Sequence, residues 1–313
     1  MSYECKLDAK TVKKAENELF ETKEKREECL KELREKLKKN TQLVCPIDED
    51  RFLLKFLRAR KFNTERAEEL IIKYYTIRGS NPKFCSKVYP SMMEDIIVKN
   101  MACVLPGRTE DGCAVYIFRP GKWDPAVHDI SCLFKMHLLS LEWIIESFED
   151  IQVHGVKIVG DLSDMGWNHV KNFSREYAGL VTSLFQDGFP ARVKGMNIVN
   201  EPSFFGYLFA IVKPFMKSKF LSRMHFHAYD LHSLHNSIPK SILPEHLGGD
   251  AGDWDDLCAD FCTKLKSSES YFQDLSKYKL HGITAVGDSS SSGKEVGDGT
   301  ASVTGTFKKL NVE

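Results

Sequence analysis

FPARVKGMNIVNEPSFFGYLFAIVKPFMKSKFLSR, residues 189–223, sets a helix that is apolar on too many sides between two pairs of basic residues. Asn200 or Ser203 can cap the start of that helix, and Pro202 suits its first turn. At about 100° per residue, Phe204, Phe205, Tyr207, Leu208, Phe209, Ile211, Val212, Phe215 and Met216 fan over an arc of roughly 200°. A helix packed on a core from one side needs about half that width. Gly206, Lys213 and Lys217 leave only a narrow polar seam. Pro214 removes a backbone donor and clashes with the preceding turn, so a kink or a break is expected there. One reading is a core helix covered by other helices. The other is a movable lid, with one apolar side on a ligand and the other on lipid.

The flanking charges sharpen the second reading. Arg192 and Lys194 stand two apart, so at the start of a strand they share a face. Lys219 and Arg223 stand four apart and share a helix face. Together they can grip a phosphate, arginine by bidentate hydrogen bonds and lysine as a point charge, or they are two solvated, unrelated pairs.

Working outward, 313 residues suffice for one large domain plus a small one. Lys plus Arg equals Asp plus Glu at 44 each, so no global field drives binding to nucleic acid or membrane, and recognition must come from a local patch. The 9 cysteines are odd in number and scattered, which suits free thiols in a reducing compartment. The polar start MSYECKLDAK has no secretory pattern, and no apolar run reaches the ~18 residues of a membrane span.

Residues 1–44 read as a Lys/Glu-dense helical arm with a thin apolar stripe (Leu19, Phe20, Leu30, Leu33, Leu37), packed loosely on the body. Residues 45–92 form a helical module in which DRFLLKFLRARKF presents Phe52, Leu53, Phe56 and Leu57 on one face. Arg58, Arg60 and Lys61 crowd its last turn, where they complement the helix dipole and meet solvent. Residues 93–253 alternate strands (113–118, 156–160, 196–199, 224–227) with helices (131–148, 170–185 and the lid), which predicts an α/β module with a mostly parallel sheet. A helical segment is expected within 254–281, and a Gly/Ser-rich disordered tail over 282–313.

Enzyme motifs are missing. There is no G-x-S-x-G elbow and no H-E-x-x-H. The near-P-loop Gly287…Gly293-Lys294 has one residue too many and a glutamate where magnesium needs Ser or Thr. Cys258 and Cys262 lack a second ligand pair for zinc, and His225-x-His227 is a metal half-site or a structural pair. No cofactor, no metal and no catalytic residue are expected.

DRFLLKFLRARKFN, GVKIVGDLSDMGW, FPARVKGMNIVNEP, KPFMKSKFLSRMHFH and ILPEHLGG, in this order over roughly residues 45–255, resemble the CRAL-TRIO family. The similarity is strongest to its tocopherol-transfer, retinaldehyde-binding and clavesin-like branch. The resemblance implies a helical module followed by an α/β sandwich whose sheet floors a hydrophobic cavity, closed by a mobile helix matching residues 200–220 here. It assigns Arg192, Lys194, Lys219 and Arg223 to the headgroup of a phosphatidylinositol bisphosphate. It implies a cavity and lid built from Phe204, Leu208, Ile211, Phe215, Ile198, Val159, Ser140 and Trp143, with Ser140, Glu142 and Trp143 as candidate polar tethers. Gly160 stands where relatives carry a bulkier residue, which would enlarge one wall. The implied function is a carrier, monomeric and cytoplasmic, that takes a tocopherol-, retinoid- or phospholipid-like ligand to or from phosphoinositide-containing membranes such as endosomes, with no nucleic-acid partner. The alternative is a phosphoinositide-binding adaptor of endosomal and trans-Golgi trafficking.

Overall fold

An edge strand that the sequence disguises begins the main sheet. ACVLPGR carries Pro106 and Gly107, yet residues Ala102–Arg108 form a strand with an irregularity between Val104 and Arg108. An edge tolerates what a central strand would not, because one side of its ladder needs no donor. The structure, a computed structural model, describes residues 3–285. The expectation for the tail from residue 286 on, and with it the near-P-loop, falls outside the described residues.

In chain order the strands are β1 (Leu43–Val44), β2 (Ala102–Arg108), β3 (Ala114–Phe118), β4 (Val156–Asp161), β5 (Val193–Val199), β6 (Met224–Phe226) and β7 (Lys279–Leu280). β1 and β7 pair antiparallel, which brings residues 43–44 beside the C-terminal segment at 279–280. The main sheet runs β2-β3-β4-β5-β6, with β2–β3 antiparallel and every later pair parallel. The mixed α/β fold read from the sequence is therefore present.

Topology now places the Phe205–Val212 helix. Strands β3 to β6 follow one another in space as in sequence, and right-handed crossovers then put every connecting helix on one face of the sheet. Those connections are Ser131–Ser147 with Glu149–His154, then Trp167–Lys171 with Arg175–Ser183, then Phe205–Val212. The register identifies that face. Tyr116 pairs with Ile158 and Ile158 with Met196; in the next row Phe118 pairs with Gly160, Gly160 with Ile198, and Ile198 with Phe226. Residues paired across parallel strands point the same way. Contacts agree, because Phe118 meets the Ser131–Ser147 helix through His137, and Phe226 meets Phe205 and Phe209.

Two expectations about the N-terminal half are corrected. The arm is not loosely packed: Ala15, Leu19, Leu30, Leu33 and Leu37 are buried in the main core. Leucines on a helix too charged to look like core still find an apolar face on helices Asp50–Ala59 and Thr64–Ser80. Nor does Arg58 serve the surface, for it is 1% exposed. Its guanidinium donates to both oxygens of Glu21 at 2.9 and 2.8 Å, to Glu149 and Gln152 at 2.9 Å, and to Tyr3 at 3.0 Å. A second buried cluster centres on Glu142, which accepts from Tyr74 and Arg78.

Candidate functional site

The lid segment breaks where its sequence requires. Phe205–Val212 is α-helical, Pro214 shortens the winding to a 3-10 turn over Lys213–Phe215, and Ser218–Leu221 resumes as one helical turn. The start differs from expectation. Neither Asn200 nor Ser203 caps the helix, whose N-cap position is Phe204, with no side-chain cap. Asn200 instead takes a positive φ of 54° and donates from Nδ2 to Asp161 Oδ1 at 2.8 Å.

Leu208 is the one residue of Phe205–Val212 that is buried. Phe204, Phe205, Phe209 and Ile211 are half-buried, Phe215 is exposed, and Tyr207 is 60% exposed. Phe204 packs on Trp167, itself 59% exposed, at 5.0 Å between ring centres. On the other side Phe205 and Phe209 flank Phe226, 45% exposed, at 5.6 and 5.2 Å. Phe215 lies over Gly179, where a Cβ would meet its ring at 3.4 Å. The wide apolar arc is therefore covered by protein on its inner side only.

Two neighbouring side chains hold the far end of the segment read as a lid. The wide, π-type turn Leu184–Gly188 supplies Gln186, whose Nε2 donates to the Phe215 carbonyl at 3.0 Å and whose Oε1 accepts from the Lys217 backbone N–H at 2.6 Å. Its neighbour Asp187 ion-pairs with Lys217 and lies 3.7 Å from Lys73. Such turns interrupt helices at working positions.

Behind the gate, one polar cluster stands in apolar surroundings. His137 is buried, with Nδ1 2.9 Å from the Tyr116 hydroxyl and Nε2 3.4 Å from that of Tyr177. The rings of Phe118 and Phe185 pack on it at 4.2 and 5.2 Å. Burial pushes its pKa down to about 3, so the imidazole stays neutral near pH 7. Ser140, one turn along, is buried beside Tyr116, and its Oγ has no well-formed hydrogen bond among the described residues.

The expected cavity residues divide. Ile198 and Ser140 join Phe204, Leu208, Ile211 and Phe215 on the gate side. Val159 does not: it pairs with Asn197 on the opposite face, which residues 227–237 cover through the His227–Asn197 bond at 3.0 Å and the Lys157 bond to the Ser237 carbonyl. Alternation along β4 decides this. Trp143 turns toward Phe148 and Phe261, away from the gate, and Glu142 belongs to the ion cluster with Arg78. Gly160 leaves no enlarged wall, because Ile198 Cδ1 lies 3.0 Å from where its Cβ would stand. His227 is a structural residue whose ring nitrogens face Asn197 and Ser233. A hollow of about 490 Å3 opens at the gate's approach, lined by Arg119, Ser163, Asn200, Pro202, Tyr229 and His246.

Three of the four basic residues gather at the opposite end of β5. Arg192 and Lys194 share a face, as their spacing required, and converge on one carboxylate oxygen of Glu18, at 2.8 and 3.1 Å. Arg192 also donates to the Val153 carbonyl. Arg223 donates to the carbonyl of Val193, the residue between the pair, at 2.6 Å. Lys219 is exposed one helical turn before Arg223. Sequence reading passed over His137, Gln186, Asp187 and Glu18. For His137 a signal existed: His137 and Ser140, three apart, share one face of a mostly apolar helix.

A family model described as CRAL/TRIO domain matches residues 98–249, and one described as Pinta-like, UBA domain matches residues 22–91. Proteins named alpha-tocopherol transfer protein-like are similar along most of their length. That of Homo sapiens is 36% identical over 281 residues, covering 86% of this chain and 82% of its own. That of Mus musculus is 38% identical over 270 residues, covering 86% and 78%. Clavesin-1 of Xenopus laevis is 29% identical over 255 residues, covering 79% and 76%.

Proposed function

This chain belongs to the CRAL/TRIO domain family, whose members carry lipids rather than transform them, and from that membership we propose a gated carrier that unloads at phosphoinositide-bearing membranes. The observation that carries the reading is the gate helix. It is apolar on a face the protein leaves uncovered, and it sits one β-strand away from a cluster of cations. A soluble fold tolerates such a face where a membrane is to cover it.

The cargo is an apolar lipid with a single neutral hydrogen-bonding group. The uncharged His137, with Tyr116, Tyr177 and Ser140, can donate to or accept from one hydroxyl or carbonyl, and nothing in that cluster compensates a buried charge. An isoprenoid-like ligand burying about 400 Å2 would gain on the order of 10 kcal/mol before ordering costs. This matches in kind the ligand in the relatives' name, alpha-tocopherol transfer protein-like.

Release follows from differential binding. Each cation near an anionic leaflet contributes about 1 kcal/mol, enough for Arg192, Lys194, Lys219 and Arg223 to bias docking without fixing the protein there. Membrane contact favours the open gate only if its exposed aromatics bind lipid better when open. Vesicle-to-vesicle transfer tests this: phosphatidylinositol bisphosphate in the acceptor accelerates transfer by the native chain, and Arg192→Ala/Lys219→Ala abolishes the acceleration. The similarity to clavesin-1 supports a second reading, an adaptor in which the cavity is secondary. Headgroup binding by a preparation that yields no apolar ligand on organic extraction would favour it.

A further inference from the structure

The basic pair already holds an anion, and that anion belongs to the chain itself. Glu18 lies near the end of the Ala9–Leu19 helix, whose Ala15 and Leu19 are buried, so its backbone is fixed. Upstream on the same helix, Thr11 Oγ1 meets His154 Nε2 at 3.0 Å, and Lys14 Nζ donates to the Asp111 carbonyl at 2.8 Å. Thr11, Lys14 and Glu18 share a face, so the helix is locked in rotation with Glu18 over Arg192 and Lys194. Its side chain remains 38% exposed and can swing aside without moving the helix.

Burial pushes the Glu18 carboxyl up, and hydrogen bonds from Arg192 and Lys194 outweigh it and hold the group at about 2. It is therefore anionic throughout the physiological range. A tethered carboxylate competes at a high effective concentration with any anion from solution or membrane.

We infer that Glu18 is a specificity-determining residue: an internal counter-ion that screens Arg192 and Lys194 from monoanionic lipids and yields to a multiply phosphorylated inositol headgroup. The inference rests on the phosphoinositide reading above. Exchanging Glu18 for one lipid phosphodiester or carboxylate swaps one anion for another with no gain. A headgroup carrying several phosphates engages the pair together with Arg223 and Lys219, and this surplus displaces the carboxylate. Discrimination is a difference of affinities, and Glu18 occupies only Arg192 and Lys194, so it penalises a headgroup that depends on that pair alone more than one that also engages Arg223 and Lys219.

The test uses the full chain and vesicles of phosphatidylcholine, alone or with phosphatidylserine or phosphatidylinositol bisphosphate at matched surface charge. Glu18→Gln is expected to tighten phosphatidylserine binding about tenfold and bisphosphate binding about twofold, a selectivity loss of about fivefold. Glu18→Asp, which keeps the charge on a shorter stem, is expected to fall between. Glu16→Gln removes the same charge from an exposed position of the same helix and is expected to leave selectivity unchanged. As soluble competitors of the native chain, inositol trisphosphate is expected to displace it from bisphosphate vesicles and inorganic phosphate to leave it bound. Equal effects of Glu18→Gln and Glu16→Gln, or displacement by inorganic phosphate, would overturn the role given to Glu18. If native selectivity persists and disappears in Arg192→Ala while Glu18→Gln changes nothing, only this inference falls. If native protein and Arg192→Ala bind both anionic vesicles alike, the phosphoinositide reading falls and this inference with it.

Discussion

Removing the Arg58 guanidinium would strip its bonds from Glu21, Glu149 and Gln152, leaving Glu21 with Arg26 alone and Glu149 with the Tyr3 hydroxyl. Stripping one member from a buried charge network costs about 3–5 kcal/mol, because the abandoned charges stay desolvated. Arg58→Ala is therefore expected to lower unfolding stability by about that much in a denaturant titration, and a loss below about 1 kcal/mol would show the network to be marginal. The sequence could not reveal this role. An arginine in the last turn of a helix fits the dipole argument equally well, and its partners lie as far as 94 residues away. His137 makes a second prediction. Its pKa is depressed by burial to about 3, so the unfolded chain binds a proton that the folded one refuses. The stability it supports is complete above the ordinary histidine pKa of about 6.5 and is lost as pH falls from there toward 3. His137→Gln is expected to flatten the fall in melting temperature between pH 6.5 and pH 4, and an unchanged slope would contradict the assignment.

At the scale of the element, the gate was the most legible part of the chain. Its excess apolar arc and its proline break at Pro214 could be read from spacing alone. Its start was not legible, because Asn200 spends its side chain on Asp161, a partner that only the sheet brings near. Gln186 was equally hidden, since it carries no pattern that marks it. Gln186→Ala removes both hydrogen bonds to the Phe215–Lys217 backbone, so ligand exchange is expected to speed up with little change in melting temperature. Exchange that stays at the native rate would mean that the gate is held elsewhere. Tyr207→Asp tests the outer side. Tyr207 is too exposed to matter for folding, and a carboxylate there is expected to weaken association with anionic vesicles by about tenfold. Retained association would place the membrane contact on another surface.

Across the whole molecule, the two buried charge clusters join regions that composition had separated. Arg58 ties the arm through Glu21 to the helical layer and to Glu149 before β4. Glu142 receives Tyr74 and Arg78 on one side and faces Tyr271 of the C-terminal segment at 3.5 Å on another. Strands β3 to β6, their connecting helices and the mostly parallel sheet were readable because apolar runs and helix periods alternate cleanly, with β2 the exception that Pro106 concealed. Faces were harder to read, and Val159 went to the wrong side for want of a register. On the function proposed above, this arrangement serves one act, the exchange of a sheltered lipid at a chosen surface. Transfer of a fluorescent isoprenoid alcohol between vesicles tests that act directly. Acceptor phosphatidylinositol bisphosphate should accelerate transfer by the native chain and not by Arg192→Ala/Lys219→Ala. Equal rates with and without that lipid, or an acceleration that survives in the double variant, would contradict it.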